Sequence, residues 1–272
     1  MSAKAIREFH GKKLASRWLE KYSGDVKYNL EDRALLITAS SIDPSSTTSF
    51  DALAAQNPWV LTEKLVVKPD QLIKRRGKAG LLAINKTWAE AVAWIKERMN
   101  KECAVEVVTG ILDHFIVEPF VPHAQSDEYY LCIQSFREKD EILFYHEGGV
   151  DVGDVDAKGT RLQFSIDEQP TIASVTANLL QQVPAARQQY LAGFIVALTK
   201  LFRDLNFVYM EINPLVMTDD GRITPLDMAA KIDETAHFLN AAQWGHIEVG
   251  NKSYITHNMS RVICRIECRV VV

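Results

Sequence analysis

A lysine closes a β-branched pair at Val66-Val67-Lys68, and a cationic, glycine-containing loop follows it, Lys74-Arg75-Arg76-Gly77-Lys78-Ala79-Gly80. A lysine carried on a strand aims its charge in a fixed direction. Glycines let backbone N–H groups come close to an anion, and the cations neutralise phosphate charge. Polyphosphate is the natural ligand of that combination. The spacing is not G-x-x-x-x-G-K-[ST], so the loop is not a P-loop. A solvated basic hairpin tip would have the same composition, and both readings stand at this point.

Two further groups of residues have the chemistry of a nucleotide site. In Glu118-Pro119-Phe120-Val121-Pro122-His123 two prolines fix φ and make a rigid, extended stretch. A backbone N–H and C=O held between prolines suit the edge of an adenine, and the carboxylate of Glu128 beyond them suits ribose hydroxyls. A strand exit with structural prolines is the alternative. In Glu211-Ile212-Asn213-Pro214, followed by Asp227 after a hairpin, three oxygen donors lie on two adjacent strands, and alternation puts Glu211 and Asn213 on one face. Oxygen donors of this kind suit Mg²⁺, which keeps waters and shares phosphate oxygens. A hydrogen-bonded polar pair under a hairpin fits equally.

The remaining candidates carry less. His146-Glu147-Gly148-Gly149 leads into Asp151, Asp154 and Asp156, which lack the spacing and the terminal Glu of an EF-hand loop. The segment reads as a polar loop beside a ligand, with His146 structural. Cys264 and Cys268 supply two thiols where a structural zinc needs four ligands.

The elements that must position these residues follow from periodicity. Ala3 to Tyr22 reads as one amphipathic helix, with Ile6, Phe9, Leu14 and Trp18 on or near one stripe and Gly24 as its stop. Strands are expected at 34–38, 65–68, 81–84, 104–109, 115–121, 129–136 and 141–145. Helices are expected at 50–56, 87–101, 172–183 and 185–205, with Pro184 separating the last two. Strands at 207–217 and 222–228 flank the turn Thr218-Asp219-Asp220-Gly221. The chain shows no internal repeat. The fold class is α+β or α/β.

Composition bounds the rest. The 272 residues allow one large domain or two small ones, and 47% hydrophobic with 24% charged residues is ordinary for a globular chain. The net charge of −4 gives none of the basic excess that nucleic-acid or membrane-surface partners leave. No apolar run approaches the ~20 residues of a membrane helix. The N-terminus lacks the apolar core of a secretory signal, and Glu8 and Glu20 argue against a transit peptide. The four cysteines, Cys103, Cys132, Cys264 and Cys268, are too few and scattered for a disulfide scaffold. A reducing, cytosolic compartment is expected.

Taken together, KLVVKPDQLIKRRGKAGL, FIVEPFVPH, FYHEGGVDVGDVDAK, YMEINPLV, LDMAAKID and WGHIE resemble the N-terminal region of the ATP-citrate lyase family, in order, from Met1 to about Glu248. HEGGVDVGDVDAK points to the single-chain animal form. The succinyl-CoA synthetase β-subunit, which is similar in fold and in its glycine-rich loop, resembles the chain much less. The resemblance implies an ATP-grasp fold of two α+β lobes with ATP between them, over residues 1–248. It implies that Lys68, Arg76 and Gly77 meet ATP phosphates, Pro119 and Val121 the adenine, and Glu128 the ribose. Asn213 and Asp227 become Mg²⁺ ligands, with Asp227 also at the ATP. The family's reaction phosphorylates a histidine from ATP and passes the phosphoryl group to citrate. Citryl-CoA then forms and yields acetyl-CoA, used in lipid synthesis, and oxaloacetate.

Residues 249–272 match nothing in that family and are expected to be an unrelated tail, unstructured or non-native, from translated intron or a shifted frame. No residue matches the family's phosphorylated histidine, so no catalytic residue is assigned. Citrate and CoA are expected to bind only through domains absent from this chain, and turnover by it alone is not expected. The alternatives are a non-catalytic nucleotide-binding fragment that associates with full-length lyase subunits, and another acyl-CoA ligase of the succinyl-CoA synthetase β type.

Overall fold

The computed structural model describes residues 2–247, apart from Leu72, Lys74, Arg75, Lys78, Glu106, Val107, Val150 and Asp151, and apart from the side chain of Val108. Along the chain run β1 (Ala3–Ile6), α1 (Glu8–Tyr22), β2 (Asn29–Leu30), β3 (Leu35–Thr38), α2 (Phe50–Gln56), α3 (Trp59–Thr62), β4 (Leu65–Pro69), β5 (Ala83–Lys86) and α4 (Trp88–Arg98). Then come β6 (Lys101–Val105), β7 (Val108–Leu112), β8 (His114–Pro119), β9 (Glu128–Ser135), β10 (Lys139–Tyr145), α5 (Val155–Lys158), β11 (Thr160–Ser165) and α6 (Ile172–Leu179). The last are α7 (Ala185–Asp204), β12 (Phe207–Met217), β13 (Arg222–Pro225), β14 (Met228–Asp233) and α8 (His237–Trp244). Contacts divide the described residues into two compact units, 2–32 with 121–247, and 33–120.

The larger unit is built on one sheet of order β1-β14-β12-β9-β10-β11, with β13 paired to β12 and β2 to β13. All pairings are antiparallel except the short β13–β2 contact. Residues 129–133 of β9 are buried without a break, because the strand is covered on both faces. Tyr129, Leu131 and Ile133 join a core with Met210, Ile212 and the α7 residues Phe194 and Phe202. Tyr130 and Cys132 point the other way and pack with Leu143 and Tyr209. The α7 helix is buried along most of Leu191 to Phe202, so it is the central support of that core.

The smaller unit has a sheet of order β3-β8-β4-β5 and a separate β6–β7 hairpin. Its core sets Ile37, Val67, Phe115 and Val117 against Ala91 and Ile95 of α4. Thr87 caps α4 reciprocally with Glu90. No helix among the described residues is long and apolar enough to cross a membrane.

Several local expectations change. Ala3–Ile6 is a strand, because β1 completes the edge of the large sheet against β14, and the helix begins only after Arg7. The single strand expected at 104–109 is two strands of a hairpin, and α4 stops at Arg98 with Asn100 in the left-handed region. The segment expected as one strand at 222–228 breaks, so that Asp227 sits between β13 and β14. Residues 249–272, with Cys264 and Cys268, lie outside the described residues.

Candidate functional site

On the smaller unit, Lys68 sits near the end of β4 and is almost fully buried. Its Nζ lies 3.2 Å from Glu118 Oε2 on β8. The register pairs Val66 with Glu118 and Lys68 with Ile116, so the two charges are diagonal neighbours across the strands. Arg76 is also buried, and one of its terminal nitrogens donates to the Pro69 carbonyl at 2.7 Å. The turn after it closes through Gly80 N–H to Gly77 O at 3.2 Å and Leu81 N–H to Arg76 O at 2.9 Å. Gly77 is exposed, and Gly80 adopts φ +69°, a conformation that glycine reaches without steric penalty. The cations expected at Lys74, Arg75 and Lys78 lie outside the described residues.

Pro119 ends β8 opposite Leu65. Phe120 N–H donates to Lys64 O at 2.7 Å, so the neighbouring pair carries the hydrogen bonds, and a residue without an N–H fits at 119.

On the larger unit, Val121 is buried, and its carbonyl accepts from His123 Nδ1 at 2.6 Å. The other ring nitrogen lies 3.0 Å from Glu128 Oε1, while Gln125 Nε2 donates to Glu128 Oε2 at 3.0 Å and to the Gly148 carbonyl at 3.1 Å. The carbonyl expected to be free between the prolines is therefore already engaged. Arg187 of α7 secures the preceding turn: it donates to Asp127 at 2.7 Å, to the Tyr129 hydroxyl at 3.1 Å, and to Asp219. Burial works to raise the Asp127 carboxyl. The hydrogen bonds from Arg187 and the Ala124 N–H outweigh it and hold that carboxyl below the usual range.

Asn213 and Asp227 face each other across the sheet. Asn213 N–H donates to the Asp227 carbonyl at 3.0 Å, and Leu226 N–H donates to Pro214 O at 3.0 Å. On the other side of β12 the register slips between Ile212 and Leu215, a bulge where a proline would break the β9 ladder. Glu211 and Asn213 share a face, as alternation requires, because Met210 and Ile212 enter the core. One Glu211 oxygen accepts from the Tyr209 hydroxyl. Burial raises the Tyr209 hydroxyl, the Tyr130 hydroxyl and the Cys132 thiol on this face, so all three stay protonated near neutral pH.

The Asn213 amide is oriented by a loop. Gly149 N–H donates to Asn213 Oδ1 at 2.8 Å. An amide oxygen has two lone pairs, so Oδ1 keeps one acceptor position beyond its bond from Gly149. Among the described residues no three His, Cys, Asp or Glu side chains cluster to hold a metal ion. A carboxylate and an amide oxygen are donor types that suit Mg²⁺ when phosphate and water complete its shell.

The structure therefore collects Val121, His123 and Glu128 in one hydrogen-bonded group and Asn213 with Asp227 in another, both within the larger unit. It pairs Lys68 with Glu118 and seats Arg76 against Pro69 in the smaller unit. The contributions of Gln125, Gly149 and Arg187 were not legible in sequence. The Gly148-Gly149 pair was the one local signal of a close backbone approach.

A profile of the ATP-citrate synthase ATP-grasp domain matches residues 2–244. The chain belongs to that family. It is 44% identical over 248 residues to the ATP-citrate synthase of Bos taurus, covering 91% of this chain and 22% of that protein. It is 43% identical to the probable ATP-citrate synthase subunit 2 of Schizosaccharomyces pombe, covering 90% of this chain and 54% of that protein. These nearly equal identities place the Bos taurus protein and a protein named as a subunit at the same distance. The chain spans about a fifth of the length of the animal relatives it matches.

Among solved structures, it resembles the ATP citrate lyase of Methanothrix soehngenii in complex with citrate and coenzyme A. The TM-score is 0.75 and the identity 31%, over 98% of this chain and 60% of that one. A dinucleotide-forming acetyl-coenzyme A synthetase of Ca. Korarchaeum cryptofilum shares the fold at 13% identity and a TM-score of 0.52. The mixed α/β units with antiparallel sheets are an ATP-grasp fold, as the sequence resemblance implied.

Proposed function

We propose that the chain is the ATP-binding portion of an ATP-citrate lyase, over residues 1–248, supporting phosphoryl transfer toward a histidine that lies elsewhere in the enzyme. The observation that carries this reading is the opposed pair Asn213 and Asp227 in a chain of the ATP-citrate synthase ATP-grasp family. In it, Lys68, Arg76 and Gly77 receive the phosphates, Pro119 and Val121 the adenine, and Glu128 the ribose. Mg²⁺, held by Asn213 and Asp227, neutralises phosphate charge when bound. The chain's own contribution is charge neutralisation and positioning, the terms that dominate phosphoryl transfer. Citrate, CoA and the synthesis of acetyl-CoA for lipids belong to the whole enzyme, and the compartment is the cytosol.

Calorimetric titration with Mg-ATP tests the reading. Saturable binding that Asn213→Ala weakens in the presence of Mg²⁺, but not in EDTA, supports it. A folded chain with no Mg-ATP binding overturns it. A second reading is favoured by the likeness to a separate fission-yeast subunit: this is a nucleotide-binding subunit that acts only with a partner chain. In that case acetyl-CoA forms only when a lyase lacking its first ~250 residues is added back.

A further inference from the structure

Leu226 and Asp227 form the bend between β13 and β14. A side chain from the far end of the chain reaches that bend. Lys12 of α1 donates from Nζ to the Leu226 carbonyl at 3.1 Å. The same ammonium pairs with the Glu8 carboxylate one turn earlier, at 2.7 Å. The two side chains are only 7% and 3% exposed, where a charge is tolerated when a partner of opposite sign accompanies it. The pair is neutral as a whole, so it brings a fixed donor to the bend and no net charge.

A second contact from the same helix is independent of the first. Gly11 lies so close to the start of β14 that a Cβ there would come within 3.0 Å of Met228 Sδ and 3.6 Å of the Ala230 Cβ. Gly11 and Lys12 thus meet Met228 and Leu226, the residues on either side of Asp227. A peptide group is planar, so a bond to the Leu226 oxygen holds the plane that ends at the Asp227 Cα. The plane that begins there is held as well, because Asn213 N–H donates to the Asp227 carbonyl at 3.0 Å. With a bond on each plane, the direction in which the Asp227 side chain leaves the backbone is set.

We propose that Lys12, held in place by Glu8, is a positioning residue for Asp227 and thereby sets the Mg²⁺ affinity of the nucleotide site. The inference rests on the reading of Asp227 as a Mg²⁺ ligand given above. Mg²⁺ demands near-ideal octahedral geometry, so it responds to a misdirected carboxylate where a less exacting ligand does not. A change at Lys12 is therefore read in the Mg²⁺-dependent part of ATP binding.

The readout is the ratio of ATP dissociation constants in EDTA and in saturating Mg²⁺, measured calorimetrically on the whole chain. Removing Lys12 alone strands the buried Glu8 charge, so the test variant is Glu8→Leu/Lys12→Met. It replaces the pair by apolar side chains of similar volume, an exchange that folded proteins often tolerate. The expected result is a folded chain whose ratio is about tenfold smaller than that of the wild type, the factor that one lost hydrogen bond is worth, with the EDTA value unchanged. Leu19→Ala, a core truncation further along α1, is expected to lower stability and keep the wild-type ratio. A double variant with the wild-type ratio overturns the proposal and leaves Lys12 a structural residue. A double variant that loses ATP affinity equally in Mg²⁺ and in EDTA overturns it too, as does an equal fall of the ratio in Leu19→Ala. Should circular dichroism show the double variant unfolded, Glu8→Gln/Lys12→Met takes its place with the same outcomes. A wild type that binds no Mg-ATP removes the nucleotide reading, and one that binds ATP equally with and without Mg²⁺ removes the metal reading; this inference falls with either. Binding that Mg²⁺ strengthens in the wild type and in the double variant alike removes the inference alone.

Discussion

The Gly149 N–H donates to Asn213 Oδ1 at 2.8 Å, so a loop glycine orients the side chain of a residue whose own backbone N–H donates to the Asp227 carbonyl at 3.0 Å. The same glycine has φ +96°, and a Cβ there would fall on the Glu128 carboxylate. One residue therefore joins two parts of the candidate site, and no larger side chain can replace it without displacing Glu128 or the loop. Gly149→Ala should cost on the order of 1–3 kcal/mol of stability from the positive φ alone. It should also weaken the Mg²⁺-dependent part of ATP binding. Denaturant melts and a Mg²⁺ titration at fixed ATP check both. Wild-type Mg²⁺ dependence in the folded variant would remove the link between this loop and Asn213.

Lys68 has two roles that a single substitution confounds. Its ammonium is buried against Glu118, so Lys68→Met removes that ion pair and is expected to lower stability. The double variant Lys68→Met/Glu118→Gln removes both charges of the pair and is expected to lie closer to the wild type in stability. If Lys68 meets ATP phosphate, ATP affinity stays low in the double variant. Recovery of both stability and affinity would mean that Lys68 serves only as the partner of Glu118.

The pH dependence follows from carboxyls held below their usual range. At Asp127 the bonds from Arg187 and Ala124 outweigh burial, which acts in the opposite direction. At Asp204 the hydrogen bond from Tyr22 is the main cause, with burial opposing it and Lys21 adding to it. At Asp233 burial is opposed and outweighed by bonds from Thr235 and the Ser2 N–H. A depressed folded-state value contributes stability that is complete above the unfolded value of about 3.9 and is lost as pH falls through the lower folded value. The chain should therefore show no stability change from these groups above about pH 5, and a decline on acidification below about pH 4. In Arg187→Met, Asp127 returns toward its ordinary value. The stability gap between wild type and variant should then shrink as pH falls below that point. A gap that stays constant from pH 6 to pH 3 would show that Arg187 acts through packing alone. Urea melts across that range measure it.

Local patterns were enough for much of the framework. β4, β8, β9 and β10, the long α7 helix after Pro184, and the Thr218–Gly221 turn follow from alternation, helical spacing and turn residues. Where the readings differ, the deciding partner lies far along the chain. Ala3–Ile6 has a helix-compatible pattern, and it becomes a strand because Ala230–Asp233 offers it an edge. β11 carries mostly polar residues with Phe164 buried, and it exists because β10 needs a neighbour. The 104–109 run hides a hairpin whose turn has no strong glycine or proline signal.

The family was legible in residue types at motif spacings, because these are local facts. The sequence also put Lys68 and Asn213 within the strands that carry them, whereas Val121 and Asp227, expected inside strands, lie just outside β8 and β14, and Glu128, expected before a strand, opens β9. What each of these groups is already bonded to depends on the tertiary structure. It buried Lys68 against Glu118, bonded His123 to the Val121 carbonyl, and turned the Asn213 amide through Gly149. The physical reason is that hydrogen-bond satisfaction in a buried site is settled by whichever partners the fold brings within about 3 Å, and sequence separation carries no information about that distance.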